Sequence, residues 1–90
     1  MNPQQQELFR TAILRVLEAN PTRRGLPLRG IGLMLAQFAF PNPREDDLAD
    51  ALDYLERRDP PLVEQALKII SRENRAWRIT DAGVAFLDSQ

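Results

Sequence analysis

The chain has 90 residues, 43% of them apolar and 28% charged, with 12 basic and 13 acidic side chains and a net charge of −1. That length builds one modest core, and the composition is that of a folded chain rather than a disordered one. The charge balance excludes a strongly cationic nucleic-acid coat or a polybasic membrane binder. The absence of His and Cys excludes zinc fingers, disulfide scaffolds, thiol nucleophiles and His-based triads.

The longest apolar stretch, Ile31 to Ala36, is interrupted by Gly32 and is far too short to span a bilayer. The first residues, Met1 to Glu7, lack both a basic segment and an apolar core, so no signal peptide is expected. The expectation is a single domain over residues 1–90, in the cytoplasm and away from membranes.

Asn2-Pro3 opens the first predicted helix, with Asn2 as N-cap, Pro3 at the first helical position and Gln5 as reciprocal cap. Phe9, Ala12, Ile13, Val16 and Leu17 form its apolar face. Leu8 widens that face on one side, and Leu14 falls off it on the other. Asn20-Pro21 ends the helix, because Asn tolerates a left-handed turn and the residue before Pro disfavours helix. Thr22-Arg23-Arg24-Gly25 reads as a loop and Leu26-Pro27-Leu28 as a short extended piece.

A second helix is expected from near Leu28, with Leu28, Ile31, Leu35 and Phe38 on one side. Gly30 and Gly32 each cost it about 1 kcal/mol relative to Ala. They mark either close packing or a weak first turn. Phe40-Pro41-Asn42-Pro43 forces a turn. Asn42 is the expected N-cap of a third helix, with Pro43 at its first position and Glu45 completing a capping box. Leu48, Ala51, Leu52 and Leu55 make its apolar stripe. Arg57 and Arg58 suit the negative end of the helix dipole, and Asp59-Pro60-Pro61 stops it.

Leu62 to Ile70 fits either a helix (Val63, Ala66, Leu67, Ile70) or a strand (Val63, Gln65, Leu67, Ile69). The turn cluster Ser71-Arg72-Glu73-Asn74 and the alternation in Arg75-Ala76-Trp77-Arg78-Ile79-Thr80 favour a hairpin. Thr80 or Asp81 then caps a short last helix, Ala82 to Leu87. Leu48, Leu52, Leu55, Ile13, Leu17, Leu35 and Trp77 are expected to share one core. Trp77 alternates in phase with Ile79, as a core anchor does. Phe40 and Tyr54 fall off the main apolar faces, as Leu14 does; scattered exposure is ordinary, and a homodimer contact is the minority reading.

The succession of helix, short strand, helix, tight turn, helix and hairpin resembles the winged helix-turn-helix fold. The resemblance runs from about Phe9 to Leu87. Its most specific part is Leu48-Ala49-Asp50-Ala51-Leu52-Asp53-Tyr54-Leu55-Glu56-Arg57-Arg58, then Leu62-Val63-Glu64, then Trp77-Arg78-Ile79-Thr80-Asp81-Ala82-Gly83. This is similar to bacterial and phage regulators in which a leucine-patterned recognition helix runs into a wing. The resemblance implies an α+β, mostly helical fold: three helices, a C-terminal two-stranded β-hairpin wing and a short final helix. It places the second helix at Leu28 to Ala39, the recognition helix at Pro43 to Arg58 and the wing at Lys68 to Arg78. It also implies binding to double-stranded DNA and transcription regulation, a pattern-level expectation because one fold carries many functions.

The chemistry of the implied recognition helix departs from that family. A helix entering the major groove needs donors and cations facing bases and phosphates. Residues 41–66 instead hold eight acids and three bases, whereas residues 1–40 carry a net +3 and residues 67–90 a net +1. DNA contact is therefore expected through the wing and a basic loop: Arg23, Arg24, Arg29, Arg44, Lys68, Arg72, Arg75 and Arg78. The bland reading makes these ordinary surface arginines, some paired with Glu64 or Glu73. Asp46, Asp47, Asp50 and Asp53 are first a solvated, helix-stabilising acidic face. In a second reading they bind a basic protein surface, with Asp46, Asp50 and Asp53 in one line. No metal or other cofactor is expected, since carboxylates on one straight helix face do not wrap a cation.

Catalysis is not expected either. Ser71 and Ser89 have no base beside them, Lys68 is the sole lysine, and Gly25, Gly30 and Gly32 match no phosphate-loop spacing.

Overall fold

The computed structural model describes residues 2–66 and 75–90. The order is α1 (Pro3–Ala19), β1 (Leu26–Pro27), α2 (Leu28–Met34), a 3-10 turn (Leu35–Phe38), α3 (Glu45–Arg57), β2 (Val63–Gln65), β3 (Ala76–Ile79) and α4 (Asp81–Asp88). Among the described residues the protein is thus α+β and mostly helical. The expected turn at Ser71-Arg72-Glu73-Asn74 lies outside the described residues, as do Lys68 and the strand positions beyond Ala66.

Helix α1 starts as its sequence dictates. The Asn2 side chain accepts the Gln5 backbone N–H at 2.7 Å, and the Gln5 side chain accepts the Asn2 N–H at 3.4 Å. Its far end differs from expectation. Asn20 is not left-handed (φ −128°, ψ 63°). Its amide instead donates to the Val16 carbonyl at 2.8 Å, closing the last turn through the side chain.

Among the described residues the sheet has three strands rather than two, in the order β1-β3-β2, all antiparallel. Leu26 pairs with Trp77 and Pro27 with Ala76, so the extended piece before α2 is an edge strand, where a proline without an N–H is tolerated. Two residues are too few for an alternating pattern to announce the pairing. Gly25 makes it geometrically feasible: its φ is +70°, and a Cβ there would stand 2.6 Å from the Trp77 carbonyl oxygen. On the other side Val63, Glu64 and Gln65 pair with Ile79, Arg78 and Trp77. The Leu62 N–H donates to the Leu55 carbonyl at 3.0 Å and ties β2 to the end of α3.

The core contains all seven expected residues: Ile13, Leu17, Leu35, Leu48, Leu52, Leu55 and Trp77. Leu14 corrects the expectation for α1. It is fully buried because α4 docks along that side of α1, which is covered on two sides rather than one. Leu8 corrects it in the other direction: no described element covers it, and it stays 57% exposed. Phe40 also joins the core margin, meeting Phe9 edge-to-face with ring centroids 5.2 Å apart.

Helix α3 begins two residues later than its capping motif suggests. Asn42 adopts a left-handed conformation (φ 51°) inside the turn, and Arg44 takes the N-cap position without a side-chain hydrogen bond. Glu45, Asp46 and Asp47 in the first turn supply the favourable charge at that end. Gly32 lets α2 approach α3 closely, since a Cβ there would lie 3.2 Å from a Leu48 methyl carbon. Helix α4 is capped by Thr80, whose hydroxyl accepts the Gly83 N–H at 3.1 Å and donates to the Pro61 carbonyl at 2.7 Å.

Two glycine substitutions test this packing in opposite directions. At Gly83 a Cβ would collide with the Leu62 carbonyl and the Ile79 side chain, so Gly83→Ala should destabilise by about 1–3 kcal/mol. At Gly30 the nearest atoms belong to Pro27, 3.5 Å away, so Gly30→Ala should stabilise by about 0.5–1 kcal/mol through helix propensity. Urea denaturation followed by Trp77 fluorescence separates the two.

Candidate nucleic-acid and protein interface

Arg23 and Arg24 sit in an exposed tight turn closed by the Gly25 N–H donating to the Thr22 carbonyl at 3.1 Å. Gly25 packs against Trp77 and the Ala66 side chain, which fixes this turn beside the Gln65–Trp77 end of the β2–β3 ladder. Arg29 is exposed in the first turn of α2, and Arg44 is exposed just before α3. Arg29 borders a shallow hollow of about 500 Å³ between α2 and the start of α3, shared with Glu45, Leu33 and Pro43. Lys68 and Arg72 lie outside the described residues.

The two remaining cations, Arg78 on β3 and Arg75 just before it, have acidic neighbours. Arg78 Nε donates to Glu64 Oε1 at 2.6 Å across the β2–β3 ladder, where the two residues are direct register partners. Both side chains are nearly half exposed (42% and 48%), so the pair contributes little to stability, about 0.2–1 kcal/mol. Arg75 is half-buried and lines a cleft of about 460 Å³ with Glu45, Asp46, Asp53 and Trp77. Those carboxylates set a negative potential where a phosphate would otherwise approach Arg75.

The acids of α3 divide between two sides of the helix. Asp46 and Asp53 flank the cleft that holds Arg75, and Asp53 is half-buried there. Asp47 and Asp50 turn toward α1, bordering a small hollow with Gln6, Phe9 and Arg10. Glu45, Asp46, Asp47 and Asp50 are all exposed. Among the described residues no group of carboxylates converges on a point that would hold a metal ion.

Two contacts had no signature in the sequence. The Arg10 guanidinium lies 3.6 Å from the centroid of the Tyr54 ring, and that of Arg58 lies 5.1 Å from the centroid of Phe86. Each joins residues far apart in the chain, and only the docking of α3 and α4 on α1 brings them together. No described helix is long and apolar enough to cross a membrane.

Comparison of the chain with protein-family models, with curated proteins and with solved structures returns no match. The functional reading therefore rests on the residues themselves.

A double-mutant cycle measures how firmly Arg78 is held. Arg78→Ala and Glu64→Ala should each change stability by less than about 1 kcal/mol, with a coupling of about 0.2–1 kcal/mol that shrinks as salt is raised. A coupling above about 2 kcal/mol would mean that Arg78 is committed to the sheet and withdrawn from any ligand.

Proposed function

We propose that the chain is a non-catalytic winged helix-turn-helix module of the regulator type, which binds duplex DNA through its basic turn and wing. The observation that carries this reading is the order of the elements. A helix is followed by β1, two closely packed helices and a hairpin, and the sheet is arranged β1-β3-β2. The Arg23–Arg24 turn lies beside the Gln65–Trp77 end of that hairpin. Cations from the turn, from Arg29 and Arg44, and from Lys68 and Arg72 then contact the phosphate backbone, while Arg75 stays screened by the acids of its cleft. Contacts of that kind position a protein on a duplex without reading its bases.

Major-groove readout from the body of α3 is not part of this reading. Exposed Glu45, Asp46, Asp47 and Asp50 would stand against phosphates and base-edge acceptors. The same observation supports a second reading, in which the acidic side of α3 docks a basic protein surface. Charge complementarity there would speed association and select the partner.

Fluorescence anisotropy with a mixed-sequence duplex at two or more salt concentrations distinguishes the readings. On the DNA reading, Arg23→Ala/Arg24→Ala weakens binding alike for all sequences and flattens the salt slope by about two units. Asp46→Asn/Asp50→Asn strengthens DNA binding, most at low salt, because it removes charge of the same sign as the phosphates. On the protein reading, the aspartate substitutions weaken the complex with the basic partner and leave DNA out of account. Failure of the wild-type chain to bind duplex at about 50 mM salt would overturn the DNA reading.

A further inference from the structure

The two outer strands of the sheet are finished differently. β1 carries Pro27, which has no N–H to offer a further strand. β2 carries no proline and no lysine between Val63 and Gln65, and no described strand lies beyond it. The alternation of the ladder fixes which of its backbone groups are engaged. The Leu62 carbonyl accepts the Thr80 N–H at 3.1 Å, and the Ala66 N–H donates to the Ala76 carbonyl at 2.9 Å, so both residues turn these groups toward β3. Glu64, midway between them and opposite Arg78, does the same. Val63 and Gln65 therefore point their N–H and C=O groups away from the sheet, and no backbone hydrogen bond among the described residues reaches them.

A hollow of about 780 Å³ lies along β2 and is lined by all three of its residues. Its apolar wall is Pro60, Pro61, Val63, Ile79 and Ala82. Every charged residue that lines it is acidic: Glu56, Glu64 and Asp81. Glu64 is held by Arg78, which leaves Glu56 and Asp81 to set the potential. These two stand near opposite ends of the strand. Glu56 accepts the Gln65 side-chain amide at 3.2 Å, and Asp81 follows Thr80, which is bonded to Leu62.

We propose that the outer edge of β2 receives an extended basic segment of a partner protein, which adds to the sheet as a further strand. Main-chain hydrogen bonds to Val63 and Gln65 hold such a segment whatever its sequence, and its side chains decide which segment is taken. Cations at alternate positions meet Glu56 and Asp81, and the apolar residues between them cover the wall of the hollow. A second copy of this edge would set like charges against each other, and a duplex would bring phosphates to the carboxylates. The site rests on neither reading of the proposed function, because none of Arg23, Arg24, Asp46 and Asp50 lines it. An edge of three residues supports a modest affinity, with a dissociation constant of about 100 µM.

Fluorescence anisotropy of a labelled peptide of alternating lysine and valine, titrated with the whole chain to about 1 mM, tests the proposal. The wild type should bind it. The same peptide N-methylated along its backbone keeps its charges but has no N–H donors, and it should bind about tenfold more weakly. Gln65→Pro removes an N–H that bonds nothing in the sheet, so it should keep the fold and weaken the parent peptide about tenfold. Glu56→Lys should weaken it by a similar factor. Glu18→Lys, the same reversal at an exposed position of α1 outside the hollow, should not. Amide hydrogen exchange at Val63 and Gln65 should slow when the peptide is bound. A wild-type chain that leaves the peptide free at about 1 mM would overturn the proposal. So would unchanged exchange at Val63 and Gln65, equal losses in Glu56→Lys and Glu18→Lys, or an N-methylated peptide that binds like its parent, since that is charge attraction alone. Should Gln65→Pro fail to fold, the two peptides compared on the wild-type chain decide the matter.

Discussion

Strand β3 is the constraint on which the other elements depend. It is the central strand, with β1 on one side and β2 on the other, and it packs against α1. Its Trp77 is only 2% exposed and belongs to the same apolar cluster as Ile13, Leu35 and Leu52. β1 runs directly into α2, and β2 is hydrogen-bonded to the end of α3, so the positions of both helices are transmitted through this strand. Thr80 follows it immediately and starts α4. A chain of this size has few independent contacts to spare, which makes one central strand that registers four neighbours an economical arrangement.

That arrangement also decides what the charged residues can do. Pairing Glu64 opposite Arg78 is a consequence of register, and it engages a cation that would otherwise point freely from β3. The approach of α3 to β3 brings Asp46 and Asp53 to the cleft of Arg75. The turn carrying Arg23 and Arg24 has no such neighbour at hydrogen-bonding distance among the described residues. Cations that look equivalent in the sequence are therefore separated into engaged and available sets by the sheet.

Much of the fold was legible because local patterns carry it. The capping box at Asn2 and Gln5 and the stripe Leu48, Ala51, Leu52 and Leu55 need only a few consecutive turns of chain to be recognised. Leu14 was misread because the surface that buries it belongs to α4, at the other end of the sequence. The strand before α2 is legible as a short extended piece, but its pairing with β3 is not, because two residues carry no periodicity that names a partner. Asn42 followed a sound capping pattern, but the proline-flanked turn needed a left-handed residue there and left Arg44 to start the helix. At the candidate interface, residue type and charge were legible. Neighbourhood was not: the pairing of Arg78 with Glu64 and the stacking of Arg10 on Tyr54 are tertiary facts.

The segregation of charge gives the molecule an electrical polarity that its net charge of −1 conceals. From well beyond the screening length, about 8 Å at physiological salt, a polyanion meets an almost neutral object and neither attracts nor repels it appreciably. Within that distance the field depends on which surface is approached. Approach from the Arg23–Arg24 turn is drawn inward, and approach from the acidic side of α3 is turned away. Before any contact forms, the chain thus selects the orientation of an encounter rather than its frequency. Added salt should blunt that selectivity before it unfolds anything, because the core contains no buried charge among the described residues.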